Sequence, residues 1–278
     1  MEKQVWFITG ASSGFGKAIA EYGIQQGHQV IVTARRVEIL NSIKEIAPDQ
    51  VEVIQMDVTR KDQVEKAVRQ AIQKFDRVDV LFNNAGYGMV GAVEETSEED
   101  LRAQFETNFF GAVQVIQSFL PQFRKQQSGS IVNISSSVGQ FSMPGFGPYS
   151  ASKFALEGIS EALAGEMAAF GVRVLIVEPG AFHTGFAGSA FKHTTAMDEY
   201  SATVGGVREF VNNAAAQGLG SDPNKLPKAI DQALQSKNMP LRLQLGEDAI
   251  DTVRAHSNQL LEDMKQWEDV SRDVNFNN

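Results

Sequence analysis

The chain opens on Val5-Trp6-Phe7-Ile8, an unbroken apolar run ending at Thr9-Gly10, which reads as a buried strand followed by a turn. Apolar positions then recur at helical spacing over 14–26, with Ile19, Tyr22 and Gly23 on one side. The alternation repeats. Residues 30–33 form a second apolar strand and 36–46 a second helix; 51–54 is a third strand, followed by a helical stretch over 64–75, and 78–82 is a fourth strand. Residues 98–126 are mostly helical, 130–134 is a fifth strand, 149–169 a helix and 172–177 a sixth strand. After a less regular segment, 223–236 resumes as helix, 241–245 reads as a last strand closed by Gly246, and a polar helical extension covers about 247–270. Strands apolar on both faces, alternating with helices, predict one doubly wound α/β domain. Its central parallel sheet has about seven strands, and ligands sit at their carboxyl ends.

The regularity fails after Pro179-Gly180. Residues 181–220 are rich in Gly, Ala, Ser and Thr, with Phe182, Phe186 and Phe191 interspersed. A long aperiodic segment after a strand end is often a lid, so a substrate lid is expected at about 181–220, an ordinary surface excursion being the alternative.

Composition narrows the function. A chain of 278 residues with no internal repeat is long enough for one large α/β domain. A net charge of −9 argues against binding nucleic acid or an anionic membrane. With no cysteine, disulfides and thiolate metal sites are excluded, which fits a reducing compartment. Residues 1–4 lead straight into a strand without a signal peptide, and no apolar run approaches the roughly 18 residues a bilayer span requires. A cytoplasmic location is therefore expected.

Thr9-Gly10-Ala11-Ser12-Ser13-Gly14-Phe15-Gly16 lies between the first strand and the first helix. Glycines there let the backbone turn sharply and approach a pyrophosphate, whose charge the helix N-terminus meets. The spacing departs from G-x-G-x-x-G, but the position favours a Rossmann-type nucleotide site. An acid at the end of the second strand selects NAD; here Ala34 stands there, followed by Arg35 and Arg36, and a guanidinium suits the 2′-phosphate of NADP. Asp57 and Val58 follow the third strand, where a carboxylate can accept from an adenine amino group; it could equally be a helix cap, as could Thr59 or Asp62. Asn83-Asn84-Ala85-Gly86 follows the fourth strand, where small residues let a sugar lie close to the backbone.

The chemistry converges on 136–153. Tyr149 and Lys153 are four apart and share a helix face, and Gly147-Pro148 is a plausible helix start. A phenol titrates near 10, and an ammonium group beside it pulls that value down towards useful acid–base work. The hydroxyl of Ser136, brought in from a strand end, can hydrogen-bond a substrate oxygen. Such a trio suits proton transfer at a carbonyl or alcohol, and the accompanying hydride must come from a cofactor.

Together, Thr9-Gly10-x-x-x-Gly14-x-Gly16, Asp57, Asn83-Asn84-Ala85-Gly86, Asn108, Ser136, Tyr149-x-x-x-Lys153 and Pro179-Gly180 resemble the short-chain dehydrogenases/reductases over roughly 4–185. The resemblance is loosest at the level of branch, where it points to 17β-hydroxysteroid and retinol dehydrogenase-like enzymes. It implies that Tyr149 is the general acid/base, that Lys153 lowers its pKa and holds the nicotinamide ribose, and that Ser136 positions the substrate oxygen. Asn108 would hold a water in a proton relay to Lys153. Cofactor contacts would come from Gly10, Ser12, Ser13, Gly14, Phe15, Gly16, Arg35, Asp57, Val58, Asn84, Ala85, Gly86, Tyr149 and Lys153, with Pro179, Gly180 and Thr184 at the nicotinamide end. Ser13 stands where some NADP users carry a basic residue, leaving most phosphate recognition to Arg35. Pairing through the helices around 98–126 and 149–169 would give a homodimer or homotetramer.

Phe141, Met143, Phe146, Phe182, Phe186 and Phe191 either line a pocket mouth for a hydrophobic carbonyl compound or pack the lid onto the body. No His/Asp/Glu cluster has convincing metal-ligand spacing. The leading expectation is an NADP(H)-dependent carbonyl reductase; a non-catalytic NADP(H) sensor of the same fold is the alternative. Sugar-nucleotide epimerases and dehydratases share the Tyr-Lys pair but differ in glycine pattern and in their larger C-terminal domain.

Overall fold

The computed structural model describes residues 3–183, 191–217 and 220–274. Its strands are β1 (Val5–Ile8), β2 (Gln29–Ala34), β3 (Val51–Gln55), β4 (Val80–Asn83), β5 (Gly88–Val90), β6 (Gly129–Ile134), β7 (Val172–Pro179), β8 (Phe191–His193) and β9 (Arg242–Leu245). The α-helices are α1 (Gly14–Gln25), α2 (Asn41–Ile46), α3 (Lys61–Phe75), α4 (Glu98–Phe105), α5 (Ala112–Gln126), α6 (Gly147–Ala168), α7 (Ser201–Gln217), α8 (Leu226–Gln235), α9 (Glu247–Gln266) and α10 (Glu268–Arg272).

Alternation along β1 divides the core. Trp6 and Ile8 point to one face, where Ile19 and Ile24 of α1, Leu40, Ile43 of α2 and Ile230 of α8 cover them. Val5 and Phe7 point to the other, against Val64 and Val68 of α3, Val115 and Phe119 of α5, and Leu163 and Met167 of α6. Both faces being dry, every residue of β1 is buried, which is why the run is continuously apolar.

The seven-stranded sheet has the order β3-β2-β1-β4-β6-β7-β9, and all its pairings are parallel. From β1 the chain winds outward through β2 and β3, then returns to the opposite side of β1 with β4. The carboxyl ends of β1 and β4 flank this reversal, the place where a doubly wound sheet opens a crevice. Register sets Ile8 beside Phe82, so the Thr9-Gly10 turn meets Asn84-Ala85. The Thr9 hydroxyl accepts the backbone N–H of Asn84 (2.9 Å) and of Ala85 (3.0 Å). The Asn84 amide donates to the carbonyls of Thr9 and Gly10, both at 3.0 Å.

The helix boundaries follow local chemistry. The Ser97 side chain caps α4 by accepting the Asp100 N–H at 3.1 Å, and Glu98, Glu99 and Asp100 sit in its first turn, where the helix dipole favours acids. Pro148 occupies the first turn of α6. The long helical stretch expected over 98–126 is interrupted at Glu106–Gly111, which winds as a π-helix between α4 and α5. Single π turns of this kind often mark functional positions.

Three features differ from the sequence reading. The segment 181–220, expected to lack periodicity, contains the 17-residue helix α7. Val204 and Val211 form its buried stripe, but the adjacent Gly205-Gly206 and the small polar residues around them dilute the helical pattern. A second small sheet pairs β5 with β8 in parallel. It requires Gly88, because a Cβ there would lie 2.5 Å from the Phe191 ring. The C-terminal helix breaks at Trp267, and Leu260, Leu261, Met264, Trp267 and Val270 are exposed along it, so it is less uniformly polar than expected. No described helix is long and apolar enough to cross a membrane.

Candidate active site

A pocket of about 1180 Å³ opens at the carboxyl ends of the strands. Gly10, Ser12, Ser13, Gly14 and Phe15 line one end with Arg35, Arg36, Asp57 and Val58; Asn84, Ala85 and Gly86 form the middle; Ser136, Tyr149, Lys153, Pro179 and Gly180 close the other end. These seventeen positions, from stretches far apart in the sequence, meet in one cavity because each stretch follows the end of a parallel strand or starts the next helix.

The glycines fit a close backbone approach. Gly10 has φ +66°, and a Cβ there would sit 2.8 Å from the Ala85 Cα. Gly16 does not line the cavity; it is buried under the loop, where a Cβ would come within 2.4 Å of the Gly10 carbonyl oxygen and 2.5 Å of the Asn84 amide nitrogen. Arg35 and Arg36 are exposed at the rim and Ala34 is buried behind them. The Asp57 carboxylate accepts from the Thr59 N–H (3.0 Å) and hydroxyl (2.8 Å). The residue before α3 is Arg60, with no side-chain cap, so neither Asp57, Thr59 nor Asp62 caps that helix. Thr184 and Phe186 lie outside the described residues.

Lys153 is buried one turn beyond Tyr149 on α6, and its ammonium donates to the Ile134 carbonyl at 2.8 Å. Its nitrogen is 5.7 Å from the centre of the Tyr149 ring. Of the three serines after β6, Ser136 is the one whose hydroxyl bonds the Tyr149 phenol; it also lies 3.4 Å from the Pro179 carbonyl. Burial dominates the electrostatics of both groups. Burial pushes Tyr149 up to about 12, with Ser136 opposing. Burial likewise pulls Lys153 down to about 8, opposed by the charge of Glu157. A dry site penalises both charged forms. Burial thus favours the neutral phenol of Tyr149 and weakens the hold of Lys153 on its proton.

Asn108 is buried on the π turn, outside the pocket lining. Its carbonyl oxygen accepts the Tyr87 N–H (3.0 Å), and its NH₂ donates to the Tyr87 carbonyl (2.9 Å) and to Ser152 (3.2 Å). The side chain thus clamps the segment that follows β4. Both groups flank Gly86, where a Cβ would lie 3.1 Å from the Asn108 oxygen and 3.7 Å from the Lys153 nitrogen.

The aromatic residues line the pocket and pack together. Phe141, Met143, Phe146, Phe182 and Phe191 all face the cavity. The Phe191 ring centre lies 6.0 Å from Tyr149 and 5.9 Å from Phe146, and Phe182 meets Phe15 edge-on at 5.1 Å. His183 and His193 are exposed and do not line it. Among the described residues no His/Asp/Glu group has metal-binding geometry.

Sequence reasoning missed Val207, Phe210 and Val211 of α7, and Asp248 and Thr252 of α9, all of which line the cavity. Asp248 accepts the Ala181 N–H at 2.7 Å and fills the space beside Gly180, where a Cβ would lie 2.3 Å from its carboxylate. Its place in the first turn of a helix opened by Gly246 was the available signal. Also missed was a buried clamp behind the wall formed by α7. Glu95 accepts the N–H of Met197 (2.7 Å) and of Ala92 (2.6 Å) and pairs with Arg208 of α7 at 2.6 Å.

Comparison with known proteins agrees with this geometry. Residues 4–195 match the short chain dehydrogenase family model. A 3-ketodihydrosphingosine reductase of Bacteroides thetaiotaomicron is 40% identical over 249 residues, covering 88% of this chain and 89% of the relative. A short-chain dehydrogenase structure from Streptomyces avermitilis is 45% identical with a TM-score of 0.94, covering 99% of this chain and 100% of that one. A short-chain dehydrogenase/reductase from Burkholderia phymatum in complex with NAD is 25% identical with a TM-score of 0.81, covering 94% and 95%. With a cleft at the switch point of the sheet, the Ser-Tyr-Lys group at its end and a family match over most of its length, the chain belongs to the short-chain dehydrogenase/reductase family of oxidoreductases.

Proposed function

We propose that the protein is an NADPH-dependent carbonyl reductase, with Tyr149 as general acid/base and a hydrophobic ketone or aldehyde as substrate. The observation that carries this reading is the Tyr149 phenol, bonded to the Ser136 hydroxyl at the end of the pocket with Lys153 one turn away. A nicotinamide dinucleotide supplies the hydride that no side chain can. The loop Gly10 to Phe15 cradles the pyrophosphate at the N-terminus of α1, Asp57 and Val58 meet the adenine, and Asn84 to Gly86 give the ribose room. Pro179 and Gly180, followed by Ala181 whose N–H Asp248 accepts, border the nicotinamide end. Ser136 holds the substrate oxygen. Tyr149 gives its proton to that oxygen as negative charge develops on it, and the ammonium of Lys153 offsets the phenolate left behind. Asn108 acts as a positioning residue for the segment after β4.

The apolar wall formed by Phe146, Phe191, Val207 and Val211 supports a hydrophobic substrate. The Bacteroides relative carries the name of a ketone reductase, which supports reduction of a C=O group here. The stretch 191–211 serves as the substrate-side cover in this reading. A cytoplasmic location and self-association through α4 to α6 belong to it as well, the latter supported by exposed Phe110, Phe154 and Ile159 on those elements.

NADPH preference rests on Ala34 and Arg35, since no carboxylate at the end of β2 repels a 2′-phosphate. Replacing Arg35 by Glu is expected to lower kcat/KM for NADPH by about 10- to 100-fold, the worth of one charge-assisted hydrogen bond, with NADH affected little. Initial rates with both cofactors and a panel of aromatic and aliphatic carbonyls check this. Equal use of NADH and NADPH by the unaltered enzyme would overturn the role of Arg35.

A further inference from the structure

Behind the Ser136 segment lies a buried ionic cluster that the proposed chemistry does not use. Glu157 stands one turn beyond Lys153 on α6, and Glu178 is the residue before Pro179-Gly180 on β7; their side chains are 5% and 0% exposed. The two carboxylates converge on the same donors. Gln140, just after the Ser136 segment, reaches Glu157 Oε2 at 3.0 Å and Glu178 Oε1 at 3.1 Å. Arg242 Nε of β9 faces the same two oxygens at 3.1 and 3.5 Å. Gln244 of β9 donates to Glu178 Oε2 at 2.6 Å. The second guanidinium contact goes outward, to exposed Glu161 at 2.8 Å. The Ser135 hydroxyl lies beside Glu157, and Lys153 is the remaining charge near Glu157 on α6.

Two carboxylates that share one guanidinium in a dry site cannot both ionise cheaply. The cluster also joins four segments that frame the reaction centre: the one carrying Ser136, the helix carrying Lys153, the strand ending at Pro179-Gly180, and β9, which leads into Asp248. We propose that Glu157 and Glu178 hold one proton between them and act as positioning residues, and that losing this proton to solvent loosens the frame around Ser136 and Pro179. Burial and the neighbouring Glu157 charge raise Glu178 to about 7, which places the loss in the neutral range. The sign follows from linkage: the folded state holds a proton that the unfolded chain releases near 4.5, so this contribution to stability falls as pH rises from about 4.5 to about 7.

The test compares the full-length protein with Glu178→Gln, which carries a neutral side chain of the same shape at every pH. The melting temperature of the variant relative to the unaltered protein is expected to rise by about 5 °C between pH 5 and pH 8. A difference that stays constant with pH overturns the shared proton. Infrared spectra of the unaltered protein give a second reading that needs no variant: a protonated carboxyl C=O band present at pH 6 and lost by pH 9 supports the proposal, and its absence at both overturns it. The catalytic consequence rests on the reductase reading. There kcat is expected to decline as pH passes about 7, with the decline displaced to higher pH in Glu178→Gln; an unshifted decline overturns the positioning role. Because melting and infrared readings need no turnover, failure of the reductase reading is distinguishable from failure of this one.

Discussion

Replacing Tyr149 by phenylalanine is expected to lower kcat for carbonyl reduction by about 10²- to 10⁴-fold, the usual worth of a positioned general acid. Only the hydroxyl is removed. The ring keeps its contacts with Phe146 and Phe191, Lys153 keeps the Ile134 carbonyl, and Ser136 keeps Pro179. NADPH binding, followed by fluorescence titration, is therefore expected to survive, separating loss of the proton donor from loss of the site. Because burial raises the phenol to about 12, Tyr149 stays protonated through neutral pH. Reduction can then proceed without a preceding protonation step, while oxidation of an alcohol, which needs the phenolate, gains rate as pH rises. Stopped-flow rates in both directions across pH 6–10 check this sign. A Tyr149→Phe enzyme that reduces carbonyls at the unaltered rate would remove Tyr149 from the chemistry.

The largest stability effect is expected at Glu95. This carboxylate is 1% exposed and pairs with an Arg208 only 14% exposed. Burial alone would raise its pKa, but the N–H groups of Met197 and Ala92 and the Arg208 guanidinium together hold it down at about 2. Glu95→Ala leaves the Arg208 charge in a dry site with only Thr194 as a described partner. Breaking a buried pair from one side costs about 3–5 kcal/mol, read as a fall in Tm of about 6–10 °C for a domain of this size. A folded-state pKa below the unfolded value means the contribution is fully present above about 4.5 and is lost as pH falls towards about 2. Since Arg208 lies on the helix that also presents Val207, Phe210 and Val211 to the pocket, KM for large carbonyl substrates is expected to rise more than kcat falls. Thermal melts and steady-state kinetics of Glu95→Ala, beside Glu95→Leu/Arg208→Met, check both parts. The double variant removes both charges and is expected to recover much of the lost Tm.

The parts of the fold legible in the sequence were those where burial on both faces forces a continuous apolar run. Strands β1 and β4 are buried throughout and β2, β6 and β7 nearly so, while the edge strands β3 and β9 are only partly buried and were read from shorter apolar stretches. Strands β5 and β8 are three residues each and pair only with each other, so neither carries a pattern long enough to read. Helix α7 was hidden because glycine at 205 and 206 and small polar residues around them obscure the stripe of Val204, Val207 and Val211. The Glu95–Arg208 pair spans 113 residues, and the convergence of Glu157, Glu178 and Arg242 likewise depends on three separate elements. A charged residue in a sequence gives no sign of whether it will be solvated or buried. Burial of the Tyr149 phenol is equally illegible: spacing places an ammonium near it, whereas the dryness of its surroundings is set by Phe146, Phe191 and Val211, far apart in the chain.

The most direct measurement is hydride tracing. NADPH deuterated at the transferable C4 position would be incubated with hydrophobic ketones and aldehydes, and the products analysed by mass spectrometry. A carbonyl reductase places the deuterium on the carbinol carbon of the alcohol, at a rate that collapses in Tyr149→Phe. Saturable NADPH binding with no deuterium transferred to any carbonyl would contradict the proposed reaction and favour a cofactor-sensing role for the same fold.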